Sequence, residues 1–177
     1  MHAVPLPSDA ETRHNATFDA LMWALSRPGL VRELPAPGPE PIAEALLDRE
    51  CAVWCADPAL ATYTAQLGVA RVPLPEADHV FLTELAPQTL AQLRCGSDLY
   101  PDDGATLVCP AVLGTGPRLR FTGPGCDGVV EVKIDGVSPE IWAERTRLSR
   151  YPMGFEMILV DGAGILGIPR STHVEVL

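Results

Sequence analysis

Up to Ser97 the chain alternates helical and strand-like segments, and beyond it strand-like segments separated by Gly/Pro turns take over. That change of rhythm constrains the fold, because alternating elements build a parallel sheet with crossover helices, whereas closely spaced strands pair antiparallel. In the first half, a helix starting near Asp9 or Thr12 ends at Arg27 before Pro28-Gly29. Phe18, Leu21, Met22 and Leu25 recur at helical spacing and are expected to pack on the core. A Pro-rich connection from Arg32 to Pro41 leads to a short helix from Ile42 to Asp48. Cys51-Ala52-Val53-Trp54-Cys55 is read as a strand buried on both faces. Asp57-Pro58 caps a helix towards Gly68, His79 to Thr83 is a second strand, and Pro87 to Leu93 a helix ending near Gly96.

In the second half, Ala105 to Val108, Leu119 to Thr122 and Val129 to Ile134 are read as antiparallel strands. Ser138-Pro139-Glu140 opens a helix with Ile141, Trp142, Arg145 and Leu148 on one face, and Met157 to Val160 pairs with Ile165 to Ile168 around Asp161-Gly162. The fold class expected is α/β, a three-layer mixed sheet with helices on both faces, in a single domain over residues 1–177.

Charge narrows the function. The net charge is −10 and Lys133 is the one lysine, which argues against a nucleic-acid surface and leaves little attraction for an anion unless a partner supplies it. Cys51, Cys55, Cys95, Cys109 and Cys126 are odd in number, lack C-x-x-C spacing and follow no basic-then-apolar leader, so a cytoplasmic chain with reduced thiols is expected. Cys51 and Cys55 lie roughly 13 Å apart along a strand, too far for a disulfide. His2, His14, His79 and His173 have no ligand-like spacing to a cysteine, so no metal is expected, and no apolar run approaches the ~20 residues of a membrane span.

The candidate site is the tail. Pro169 ends the run Ile165-Leu166-Gly167-Ile168, so Arg170, Ser171 and Thr172 leave a stiff base. Arg170 either binds a ligand or ties the C-terminus to a carboxylate such as Glu156. Gly123-Pro124-Gly125-Cys126 is a rigid turn at which a backbone or ligand can approach closely; it opens no helix, and a plain hairpin turn is the competing reading. Cys126 has no cation nearby in sequence to lower its pKa. Asp98, Asp102 and Asp103 suggest either a Mg²⁺ loop or a solvated acidic turn. Strand alternation turns Lys133 to water beside Glu131, which argues against a pyridoxal phosphate Schiff base.

Six signatures in order resemble the PhnH family, the H subunit of the carbon-phosphorus lyase system. They are Phe18 with Leu21-Met22 and Ala24 to Gly29; Leu46 to Glu50; Gly96 with Pro101 and Gly104-Ala105-Thr106; Leu119, Phe121 and Gly123 to Gly125; Tyr151 to Glu156; and Pro169 to Thr172. Cys126, Tyr151, Glu156 and Ser171 depart from the usual apolar residue, Phe, Asp and Thr.

The resemblance implies a fold like the large domain of PLP-dependent transferases without PLP, a homodimer, and assembly with the G, I and J subunits for bacterial organophosphonate catabolism. It also implies that the I subunit displaces adenine from MgATP with a phosphonate, giving ribose 1-phosphonate 5-triphosphate, and that the J subunit carries the radical chemistry that cleaves the C–P bond. ATP and Mg are then substrate of the whole complex, and no cofactor is expected on this chain. Three readings follow: a non-catalytic or conditionally required interaction subunit, a subunit binding nucleotide or phosphonate directly, and a pyridoxal enzyme that Lys133 disfavours. The contact or ligand positions implied are Arg170, Ser171, Thr172, Gly123, Gly125 and Glu156.

Overall fold

A computed structural model describes residues 6–177; His2 lies outside them. Helix α1 (Asp9–Ser26) starts at a capping box, in which Ser8 Oγ accepts from Glu11 N (3.2 Å) and Glu11 Oε2 accepts from Ser8 N (2.7 Å). Then follow β1 (Arg32–Glu33), α2 (Glu40–Leu46), β2 (Ala52–Cys55), α3 (Pro58–Gln66), β3 (Ala70–Arg71), β4 (His79–Phe81) and α4 (Pro87–Leu90). The second half comprises β5 (Thr106–Pro110), β6 (Val112–Thr122), β7 (Val130–Asp135), α5 (Pro139–Leu148), β8 (Glu156–Asp161), β9 (Gly164–Ile168) and β10 (His173–Val176).

Seven strands form a mixed sheet in the order β1-β9-β8-β5-β4-β2-β3, and β10-β6-β7 form a small antiparallel sheet. Period-two alternation sorts the large sheet's side chains. Phe81, Val108, Ile158 and Ile165 pack under α1, α2 and α3, while Val80, Leu107, Met157 and Leu166 face α4, α5 and the small sheet. The mixed sheet with helices on both faces is therefore present, with one outer layer largely β.

Three expectations need correcting. Strand β5 is parallel to both β4 and β8, because α4 carries the chain back across the sheet before β5 begins. Leu107, Val108 and Cys109 are all buried, as befits a strand covered on both faces; only β6, β7 and the unforeseen β10 pair antiparallel as a separate sheet. In β2 Val53 alone is fully buried, because the neighbouring β3 is a two-residue edge.

The third correction concerns α1, which buries Thr17, Ala20, Leu21 and Ala24 and leaves Phe18 and Met22 half exposed. The helix is turned by about one residue's rotation, ~100°, from the orientation its large apolar residues favour. The cause is close approach to β9: a Cβ placed on Gly167 would lie 2.6 Å from Ala24 C. Only small residues fit such a contact, so the bulky ones face outward.

Candidate functional site

Arg170 and Glu156 meet at the amino edge of the parallel strands. Glu156 opens β8, and the pairing of Met157 with Ile168 brings the residues after β9 beside it. Arg170 donates from Nε to Glu156 Oε1 (2.5 Å), from its backbone N to Glu156 Oε2 (2.8 Å), and from Nη1 to Pro101 O. The side chains are 16% and 20% exposed. Both carboxylate oxygens of Glu156 are taken up by Arg170, one by its backbone N and one by Nε, while Nη1 is spent on a carbonyl, so the charge is neutralised in place. Gly104 makes the approach possible, since a Cβ there would overlap Gly154 O and sit 3.1 Å from Arg170 Nη1.

Beneath this pair lies a residue that sequence reasoning placed only on the apolar face of α5. Arg145 is 1% exposed. It donates to Thr172 O (3.0 Å) and Pro169 O (2.6 Å), with Ile168 O at 3.5 Å. Burial lowers its pKa to about 10, against the opposing field of Glu156. Arg145 thus clamps the turn that carries Arg170, Ser171 and Thr172. A charged residue among Ile141, Trp142 and Leu148 was the available signal. Arg145 Nε, Thr172 Oγ1 and Ser149 Oγ are buried without protein partners.

The Gly123-Pro124-Gly125 turn is brought against the same tail as a packing contact. Gly123 has φ +129°, and a Cβ on it would lie 2.6 Å from Ser171 O. Gly125, at φ +83°, fits against Ser26 O and, 2.9 Å from where its Cβ would be, Pro28 Cδ. Both glycines serve close backbone approach within a hairpin between β6 and β7. Gly123, Ser171 and Thr172 therefore share one locus with Arg170 and Glu156, whereas Gly125 belongs to the end of α1.

A shallow cleft of about 410 Å³ adjoins Arg170, and Asp48, Asp78, His79, Asp102 and Asp103 line it. Asp78 accepts from Ala52 N (2.8 Å) and pairs with Arg94 (2.5 Å), which also reaches Asp103 at 3.6 Å. Burial holds the His79 imidazole below its ordinary range, while Asp78 and Asp48 pull the other way. So many carboxylates beside a neutralised arginine do not make a cradle for an anion.

Asp98 pairs with Arg150 at 3.9 Å, away from Asp103's partner, and among the described residues no group of three His, Cys, Asp or Glu is placed to hold a metal. Lys133 is exposed on β7, opposite Arg118. Burial raises the pKa of all five thiols, most strongly that of Cys109. No helix among the described residues is long and apolar enough to cross a membrane.

The model of the family described as "Bacterial phosphonate metabolism protein (PhnH)" matches residues 8–175. A putative C-P lyase subunit protein, HtxG, of Stutzerimonas stutzeri is 34% identical over 177 residues, spanning 92% of this chain and 86% of that protein. The alpha-D-ribose 1-methylphosphonate 5-triphosphate synthase subunit PhnH of Rhizobium meliloti (strain 1021) is 27% identical over 181 residues, covering 90% of this chain and 89% of that one.

Proposed function

Because this chain belongs to the PhnH family of bacterial phosphonate metabolism proteins, we propose that it is a subunit of a carbon-phosphorus lyase core complex. In this reading it joins G, I and J subunits as a homodimer in the cytoplasm. It supports formation of ribose 1-phosphonate 5-triphosphate from MgATP and a phosphonate through contacts rather than chemistry. The names of the two relatives supply the complex and the reaction.

One observation carries the non-catalytic role: the Arg170 guanidinium is already committed to Glu156 and Pro101 O, and the neighbouring cleft is acidic. Joining MgATP to a phosphonate needs cations aimed at developing negative charge, which this arrangement does not offer. The exposed apolar residues Phe18, Met22, Trp23, Leu30 and Val31 on α1 and the turn after it suit an interaction subunit. The layering is read as that of a PLP-transferase large domain that works without the cofactor; Lys133, on the outside of the small sheet, supports this.

The test is adenine release from MgATP plus methylphosphonate, measured with this chain alone, with the G, I and J subunits alone, and with all four. Turnover in the complete mixture only, retained by Arg170→Ala, is the expected result. Turnover by this chain alone, or an Arg170→Ala variant that assembles but is inactive, would overturn the interaction reading in favour of direct substrate binding.

A further inference from the structure

The opposite edge of the large sheet carries a second cleft, unrelated in chemistry to Arg170. Strands β2, β4, β5 and β8 are parallel, and their carboxyl ends share this edge. The connection leaving β2 runs through α3 on one face, while that leaving β4 runs through α4 on the other. Loops departing from adjacent strands to opposite faces part at their bases and open a crevice, the position where open α/β sheets take ligands.

The crevice holds about 400 Å³, within the range of small-molecule sites (~300–1,000 Å³). Leu60, Phe81, Val108 and Val160, all buried, form an apolar floor. Glu40, Asp57 and Thr83 supply its polar side chains, and among the described residues no Arg, Lys or His lines it.

Electrostatics decides the ligand. The amino end of α3 opens on this cleft and would by itself favour an anion, but Asp57 caps it, accepting from Ala59 N at 3.0 Å. The capped end, the Glu40 carboxylate and a net charge of −10 make the cleft repel phosphonates and nucleotides. A positive charge is attracted at the rim, and the floor adds affinity by covering an apolar body.

We propose that the carboxyl-edge cleft, with Glu40 and Asp57 over a floor of Leu60, Phe81 and Val108, binds a small organic cation, an amidine or amine on an apolar body. This site goes beyond the assembly role and stands or falls independently of it.

Amide chemical shifts of the whole chain titrated with benzamidine, its uncharged isostere benzamide, and phenylphosphonate provide the test. Benzamidine is expected to bind saturably, with shifts centred on Leu60, Phe81, Thr83 and Val108. Glu40→Gln, at an exposed position, should weaken it about two- to fivefold, the range of an exposed ion pair, and Thr83→Trp, at the exposed rim, should block it. Several results overturn the proposal. They are no saturation at millimolar benzamidine, equal affinity for benzamide or phenylphosphonate, shifts centred instead on His79 and Thr106 at the other acidic cleft, or unchanged affinity in Thr83→Trp.

Discussion

Replacing Arg145 by Met sets two opposing energies against each other within one side chain. Arg145 is 1% exposed, and its guanidinium donates to Thr172 O at 3.0 Å and Pro169 O at 2.6 Å. Charged hydrogen bonds of this kind contribute about 1.5–3 kcal/mol each, so the two are lost at a cost of ~3–6 kcal/mol. Pro169 O keeps a second partner, the Thr172 amide at 2.9 Å, which limits the damage there. Methionine also removes the penalty of burying a charge, which returns part of the cost.

The balance expected is a net loss of about 2–3 kcal/mol, equivalent to ~4–12 °C in Tm for a chain of this size. Urea unfolding, with the m-value checked for two-state behaviour, measures it. Arg145→Lys should be worse than Arg145→Met, because an ammonium stays buried without the planar fork that reaches two carbonyls. A Met variant as stable as the parent would mean that desolvation outweighs the clamp, and a tolerated Lys would mean that the fork is irrelevant; either refutes the reasoning.

Three further outcomes are expected. A double-mutant cycle between Arg170→Ala and Glu156→Ala should give a coupling of about 1–3 kcal/mol by urea unfolding, since the Nε–Oε1 contact is short and mostly buried; additivity would contradict the geometry. Gly123→Ala should destabilise by ~1–3 kcal/mol, from positive φ and the clash with Ser171 O, and by more than Gly128→Ala, where a Cβ meets nothing within 4 Å; equal effects would remove the close approach as cause. His79 is held neutral by burial, so below its ordinary pKa near 6.5 the unfolded chain binds a proton that the folded chain refuses. Stability should therefore fall with pH from about 6.5 down to the folded pKa, by at most ~1.4 kcal/mol per unit, and urea midpoints at pH 7.5 and 5.5 should show a smaller drop in His79→Gln; an unchanged drop would exonerate His79.

Local chemistry explains what was legible. Asp57 before Pro58 marks a helix start through a cap reaching two residues on, and Ser138-Pro139 marks another through proline's fixed φ at the first turn, so sequence alone places α3 and α5 at their amino ends; for α1 it left Asp9 and Thr12 open, and the Ser8–Glu11 capping box settles on Asp9. Alternation on β7 likewise turns Lys133 outward, whereas for Arg170 the sequence left a ligand and a tie to Glu156 both open. Strand direction was not legible for β5, because Thr106–Pro110 reads the same in either orientation until α4 is known to cross the sheet before it.

The face of α1 escaped for a different reason: it is set by Gly167, a residue more than a hundred positions away whose missing side chain admits Ala24 and excludes Phe18. Arg145 was visible as a charge on an apolar face, but its three carbonyl neighbours come from the last residue of β9 and the turn after it. Sequence by itself determined the helices and the longer strands, though not β1, β3 or β10, together with the acidic character and the family, because each rests on side-chain chemistry or short-range order. Tertiary structure alone decided which strands run together, which way α1 faces, and that Arg170 is held rather than free, because these depend on backbone approach between distant segments.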